Sequence, residues 1–446
     1  MFKKIEIWIV GLIVIFFILL ILFVSGVLRD AYLGKNRTPE FLRNNLVTVA
    51  EIPKNVYHVI EHLRGNAPPK LQKHKDKKRF EQFIENKRNA LLVLPRYDHS
   101  LSRSVVDIVD LNNFEVLHTY KHDIAAMNDQ VTNTKEFPRI KIDSLPIRFI
   151  YQHPLILKDG SLTSIYGPSY KIDFCSNLKW TNDEEAFHHS TMLDYEGNIL
   201  IPGSMNPQSK YVKKYATKDY ADDSIIKINK DGEILYNKSV TEILIENNIV
   251  SNNFTLNSSL SGELDPIHLN DIEPALTDTQ HWKQGDVFLS PRHQSSIIHY
   301  RPSTNKVINY ITGPFAWQHD VDIISDKEIS IFNNNHFFVN NKYSEVIIYN
   351  FETNEFRTLF NDQLKKNNFK TINGGLSHIF KDGSLMVEEQ NHGRIILFNN
   401  QGEKEWEFVN KDKNGNIGFI SWSRVIEDEI FIEQFKSLVE NKKCTN

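Results

Sequence analysis

The sequence predicts an all-β fold, a six-bladed β-propeller carried behind one N-terminal transmembrane helix. Three observations predict it: an apolar run near the N-terminus, many short β-branched runs divided by Asn, Asp and Gly turns, and a weakly repeated hairpin unit. The chain has 446 residues, 40% apolar and 24% charged, which is enough for a sizeable core. A formal net charge of −4 offers no basic face of the kind nucleic acid demands. Cys175 and Cys444 are far apart and lack zinc-type spacing, so a disulfide between them is allowed but not implied.

The first element is Ile7 to Leu28, 22 residues without a charge, long enough to cross the hydrocarbon layer as a helix. Lys3 and Lys4 precede it, which places the N-terminus in the cytoplasm and the rest outside or in the periplasm. A cleaved signal peptide is the competing reading, with Val24-Ser25-Gly26 as its weak cleavage match. Residues 29–88 read as a linker or stalk, with Pro53, Pro68-Pro69 and a short helix over Phe80 to Arg88. Its basic run, Lys70 to Arg79, reads as a solvated face, with membrane phosphates as the sharper alternative.

Residues 89–446 read as the propeller domain. "LLVLPRY", "SIIKINKDGEILYN" and "EVIIYNFETNEFRTLF" alternate with turns such as Lys158-Asp159-Gly160, Lys230-Asp231-Gly232 and Lys381-Asp382-Gly383. Asx and Gly accept positive φ, so these turns suit hairpins. A unit of apolar residues around Asp-Gly recurs near 155, 194, 227, 380 and 397. Radial repetition of such units gives about six blades at ~40–50 residues each. A large sandwich or a β-helix is the alternative, and no short strict period supports the β-helix. "EDEIFIEQFKSLVENKK" reads as a closing helix with Phe431, Phe435, Leu438 and Val439 on one face.

Five segments break the hairpin texture where apolar strands begin or end. They carry His188-His189, His268 with Asn270, Arg292-His293-Gln294, Gln318-His319-Asp320 and Ser377-His378. In a propeller the innermost strands line a channel, and residues two apart on a strand share a face. Blades delivering His, Asn and Arg to one end of that channel would form a pocket suited to an oxyanion. Any single His is more often structural; the set leaves metal binding, acid–base chemistry and covalent catalysis open. Scarce carboxylates beside these His, and Arg292, weigh against a metal. Gln318 or Asp320 could fix the tautomer of His319, as could a backbone group.

The order "HH", "DPIHLND", "SPRHQS", "WQHD", "IFNNN", then "DGSLMV" through "GEKEWEF", resembles the arylsulfotransferase family from about residue 150 to about 425. The resemblance implies a six-bladed propeller, extracytoplasmic, transferring a sulfuryl group from an aryl sulfate to a phenol without a nucleotide donor, cofactor or metal. It implies a sulfated histidine at His319. His268, Asn270 and Arg292 fall on the family's other positions, and one of His188 and His189 on its early histidine. His293 and Ser377 are further substrate-binding candidates. Departures are Pro266, Ser190, the stretch 203–222, the loose match at Ser377 and the missing short disulfide loop. The competing functions are a non-catalytic propeller binding a partner or polyanionic glycan and, more weakly, a lyase or hydrolase with a His base.

Overall fold

In the computed structural model, hairpin turns dictate the pairing, and the sheets are built from antiparallel neighbours. The structure describes residues 6–32, 37–63, 71, 73–133, 149–165, 167–215, 220–249, 265–335 and 343–444. The chain divides into two compact units, Met1–Ala67 with Asn257–Leu264, and Pro68–Leu256 with Asp265–Asn446.

The first unit holds two helices, Ile7–Tyr32 and Glu40–Leu63. The first is long and apolar enough to cross a membrane, with a hydropathy of 3.4 over Ile7–Ala31. A membrane anchor and a signal sequence both have this character. The second carries Pro53 inside it, which the sequence reading took as a break.

The second unit is mostly β and propeller-like. One four-stranded sheet runs Arg424–Ile426, Leu91–Asp98, Arg103–Asp110, Val116–Tyr120. A second runs Leu269–Pro274, Val287–Pro291, Ile297–Arg301, Lys306–Ile311. A third runs His319–Ile323, Glu328–Asn333, Glu345–Asn350, Glu355–Leu359. The fourth blade-like sheet, Leu376–Ile379, Leu385–Glu389, Arg394–Phe398 and Lys404–Val409, gains Phe80–Gln82 at its edge. An eight-stranded sheet fills residues 152–239.

Two expectations for residues 70–88 are overturned. Phe80–Gln82 is an edge strand, not the start of a helix, because Phe80 pairs with Phe408 and its ring lies 4.5 Å from Phe114. Lys73 and Lys77 are not merely solvated: they pair with the buried carboxylates Glu389 and Glu407. That ties them to the β unit.

Core side chains interleave between neighbouring sheets. Leu200, Ile225, Leu269, Ile272 and Leu289 form one such layer, and Phe332, Val346, Leu385 and Ile396 another. Each fully buried Leu, Ile or Phe contributes roughly 1.5–3 kcal/mol. The tight turns use the expected residues: Gly232 has φ +89, and a Cβ there would meet Trp180 at 2.8 Å. The closing helix is Glu429–Asn441, capped by Asp428 accepting from the Phe431 amide at 3.0 Å. Phe435 is buried and Phe431, Leu438 and Val439 pack beside it, as does Ile432, which the sequence reading omitted. Just beyond, Cys444 is disulfide-bonded to Cys175 across 269 residues of sequence.

What places the site is a set of latches between neighbouring sheets. Asp223 accepts from the Leu269 amide at 2.6 Å, Asp271 from Val321 at 2.8 Å, and Asp320 from Ser377 at 2.9 Å. Glu388 accepts from Trp422 and Ser423 at 2.8 and 2.7 Å, joining the last sheet to the strand that opens the first. Each latch gives a buried backbone amide an acceptor from the neighbouring sheet.

Candidate active site

Gln318, His319 and Asp320 have three separate tasks. The strand His319–Ile323 starts with a bulge: His319 pairs with Phe332 and Val321 with Ile331, and Asp320 between them has φ +24. A bulge re-aims side chains away from strict alternation. The Gln318 amide donates to Ser296 O at 2.8 Å and ties back to the preceding sheet. Asp320 ties forward to Ser377. Neither contacts the ring of His319, which corrects that part of the expectation; the backbone alternative is met by Trp317 O, 3.3 Å from Nδ1.

The partner of His319 is Asn334. The imidazole Nδ1 donates to Asn334 Oδ1 at 2.6 Å, and Nε2 accepts from the Gly374 amide at 3.0 Å. A ring that donates on one side and accepts on the other is neutral, with its proton on Nδ1. Burial first, then the charge of Arg292, pushes His319 down to about 3, against the upward pull of Asn334.

His268 is not a strand residue sharing a face with Asn270 by alternation, as expected. It precedes the strand with φ +50, and Asn270 sits in a bulge between Leu269 and Asp271. The His268 Nδ1 bonds Asp265 Oδ2 at 2.5 Å. Burial favours the neutral Asp265 carboxyl, but the His268 hydrogen bond and nearby histidines outweigh it and hold the group below its usual range. Asn270 donates to Gln318 O at 3.0 Å, while its buried Oδ1 has no partner.

His189 lies at the centre of the cluster, its ring 5.2 Å from His268, 6.3 Å from His319 and 6.0 Å from Trp422. Burial, then the surrounding His188, His268, His319 and Arg292, drives its pKa well down. His188 flanks it, with Nδ1 atoms 2.9 Å apart and Nε2 3.5 Å from Asp223. Of the histidine pair, His189 faces His268, His319 and Trp422, and His188 lies between it and Asp223.

Arg292 opens a short 3-10 turn, Arg292–Gln294. It is 8% exposed. Among the described residues it forms no ion pair with a carboxylate. It donates to Asn373 Oδ1 at 2.8 Å and His293 Nε2 at 3.1 Å, and stacks 4.4 Å over Trp317. Its Nε is buried without a partner. Desolvation lowers its pKa, with Asp265 opposing weakly from a distance. His293 donates from Nδ1 to Asp265 O at 2.5 Å, its ring 4.5 Å from His268.

Ser377 does not join the cluster through any hydrogen bond: its amide is used by Asp320 and its hydroxyl has no partner. Its neighbour His378 turns to Glu427 at 3.3 Å. Carboxylates are less scarce than the sequence reading held. Ligand atoms of Asp265, His268 and His293 lie within 4.8 Å of one another, a spacing a cation could use. However, the Nδ1 atoms of both rings are already hydrogen-bonded to Asp265.

Several site residues have left-handed backbone. His189, His268, Trp317 and Trp422 have φ of +64, +50, +55 and +56. Bulky residues rarely adopt such values, and each costs of order 1–3 kcal/mol. The fold holds these four aromatic rings against a local penalty, as functional sites do.

A family model described as arylsulfotransferase (ASST) matches residues 155–411. The chain belongs to the arylsulfotransferase family. No curated protein matches it in sequence. Among solved structures, a protein of unknown function from Bacteroides caccae is 12% identical with a TM-score of 0.46, covering 76% of this chain and 99% of that one. A virginiamycin B lyase from Staphylococcus aureus is 13% identical with a TM-score of 0.33, covering 57% and 69%. A chain of a nidogen/laminin complex is 7% identical with a TM-score of 0.43, covering 76% and 99%. The family match spans His188 to Ser377, so every candidate of this arylsulfotransferase-family site falls inside it. Sequence reasoning missed Asp265, Asn334, Asn373, Gly374 and Trp422 as members of the cluster. Asp265 opens the motif "DPIHLND", Asn334 lies in the triple Asn of "IFNNN" and Gly374 stands three residues before Ser377, but none of them was given a role; Asn373 and Trp422 carried no signal.

Proposed function

We propose that the protein is an arylsulfotransferase that moves a sulfuryl group from a phenolic sulfate ester to a phenol-type acceptor through His319, with no nucleotide donor. The observation that carries this reading is Arg292, a buried guanidinium without a carboxylate beside it among the described residues, next to a neutral imidazole. A buried cation that touches no carboxylate, with Asp265 acting on it only through its field, can take an anion, and a sulfate ester supplies oxygens for its fork. The His319 Nε2 pair forms a bond to sulfur while the sulfur–oxygen bond to the phenol breaks. The phenol oxygen leaves with the electrons of the broken sulfur–oxygen bond and takes a proton, with His268 as donor. The acceptor oxygen then attacks sulfur, loses its proton to the same group, and the nitrogen–sulfur bond breaks. Arg292 and the amide nitrogen of Asn270 hold the sulfuryl oxygens throughout, with His293 steadying the guanidinium.

The eight-stranded sheet reads as two four-stranded blades, which gives six in all. The N-terminal helix serves as an anchor with the β unit outside the cytoplasm. The Cys175–Cys444 disulfide supports that location, since such bonds persist in oxidising compartments. One observation favours a second reading, a non-catalytic anion-binding propeller: Gly374 already occupies the His319 lone pair.

The deciding experiment incubates detergent-solubilised full-length protein with a chromogenic phenyl sulfate and a phenol. Acceptor-dependent release of the chromophore, lost in His319→Ala, is the expected result. A folded protein that releases nothing across several donors and acceptors favours the binding reading.

A further inference from the structure

Three buried asparagines follow one another at the end of the strand Glu328–Asn333. Asn333 and Asn335 both donate to Glu345 Oε2, at 3.1 and 2.8 Å. Asn334 between them does something else. Its Nδ2 donates to Gly374 O at 2.8 Å and Thr371 O at 3.2 Å. Carbonyls only accept, so those two bonds fix which end of the amide is nitrogen. Its Oδ1 must then face His319, and because that oxygen only accepts, the ring must carry its proton on Nδ1. The Gly374 amide leads to the same tautomer from the opposite side of the ring, since an N–H needs an unprotonated Nε2.

The loop that supplies Gly374 also supplies Asn373 to Arg292. Adjacent residues of one loop thus engage the cation and the candidate nucleophile. Gly374 has φ +65, which favours glycine, and a Cβ there would meet Gln390 Oε1 at 2.0 Å and push that side chain aside.

We propose that Asn334 is the positioning residue that makes Nε2 of His319 the sulfuryl-accepting atom, and that the Gly374 amide caps this nitrogen at rest and leaves it for each transfer. The inference rests on the transfer reading above and names how its nucleophile is set. When the nitrogen–sulfur bond forms, the proton stays on Nδ1 and the ring becomes cationic. An amide oxygen stabilises that charge without removing the proton. The protonated ring then leaves as neutral imidazole when the phenol attacks. A carboxylate at position 334 would draw the proton away and leave a neutral sulfoimidazole, a poorer donor.

The test compares full-length wild type, Asn334→Ala and Asn334→Asp in detergent. Nitrogen-15 NMR of labelled histidine, assigned by difference with His319→Gln, reads the tautomer. In the wild type His319 shows Nδ1–H alone. In Asn334→Ala only Trp317 O at 3.3 Å remains at Nδ1, so the Nδ1–H share falls whenever the Gly374 amide leaves, and kcat falls roughly 10–100-fold with KM little changed, the usual cost of losing an orienting partner. In Asn334→Asp the single tautomer survives, the acid limb of kcat/KM moves to higher pH, and the sulfuryl adduct accumulates by intact mass. If the Ala variant fails to fold, the position of that acid limb decides. A wild type that transfers no sulfuryl group sinks the transfer reading and this role with it. A transferring wild type matched in kcat and tautomer by Asn334→Ala sinks this inference alone.

Discussion

Arg292 and His319 show how burial sets chemistry one residue at a time. Among the described residues the guanidinium touches neutral partners, an asparagine oxygen, a histidine nitrogen and a tryptophan face. Arg292→Ala should lower kcat/KM for an aryl sulfate by about 100-fold or more, and Arg292→Lys should recover little, because the planar fork is lost. Steady-state kinetics on both variants checks this. His319 has its pKa depressed to about 3, mainly by burial. Its neutral form therefore persists as pH falls from 8 to 5, and kcat/KM should show no acid limb from this ring in that window. A limb near 6.5, lost on replacing only His319, would contradict it. The same depression destabilises the fold in acid: the unfolded ring takes a proton below its usual pKa and the folded one does not. The histidines were legible because His is chemically conspicuous at strand ends. Asn334 was not, because its task depends on a loop forty residues later in the chain, and Asn334 reads locally as a turn residue.

At the scale of strands and sheets, the latches turn carboxylates into fasteners. Asp223, Asp271, Asp320 and Glu388 each accept a backbone amide from the next sheet. Removing an acceptor strands a buried N–H, at a cost of roughly 1–3 kcal/mol. Asp223→Ala should lower Tm accordingly, and Asp320→Asn much less than Asp320→Leu, since an amide oxygen still accepts. Thermal melts decide. Asp271, Glu273, Asp320 and Asp322 also crowd the strands near Arg424. Desolvation, then mutual charge, raises Asp320, Asp322 and Glu273, and Asp322 reaches about 7. A raised folded pKa gives stability that is complete below the ordinary carboxyl value and lost as pH climbs through 7. Asp322→Asn should therefore flatten the loss of Tm between pH 5.5 and 8.5. The hairpins were legible because Asx-Gly turns are local. The latches, the bulges and the positive φ of His189 and His268 were not, because alternation assumes a regular strand that these inner strands lack at their start.

At the scale of the whole molecule, one covalent link stands out. Cys175–Cys444 spans 269 residues, and a loop that long stabilises by roughly 5 kcal/mol in the chain-entropy account. Reductant, or Cys175→Ser, should lower Tm by several degrees while leaving the site's geometry, and hence KM, nearly unchanged. The sequence showed both cysteines but could not pair them, since only the closing helix brings Cys444 back. It also showed the apolar N-terminal helix plainly. The helix Glu40–Leu63 was hidden by Pro53, and the strand Phe80–Gln82 by its partner Lys404–Val409, which lies more than three hundred residues away.

Timing is built into the first sheet. Its innermost strand, Arg424–Ile426, is translated after all the other strands, and Trp422 beside it supplies the aromatic wall 6.0 Å from both His189 and His319. A ribosome that has delivered every histidine of the cluster has still not delivered a finished site. Until those last residues arrive, Glu388 lacks the two amides it holds. A chain cut short at residue 419 should therefore carry the full set of reactive side chains and yet remain an open, protease-sensitive ribbon, so that ring closure and the capacity to react are acquired in a single late step of synthesis.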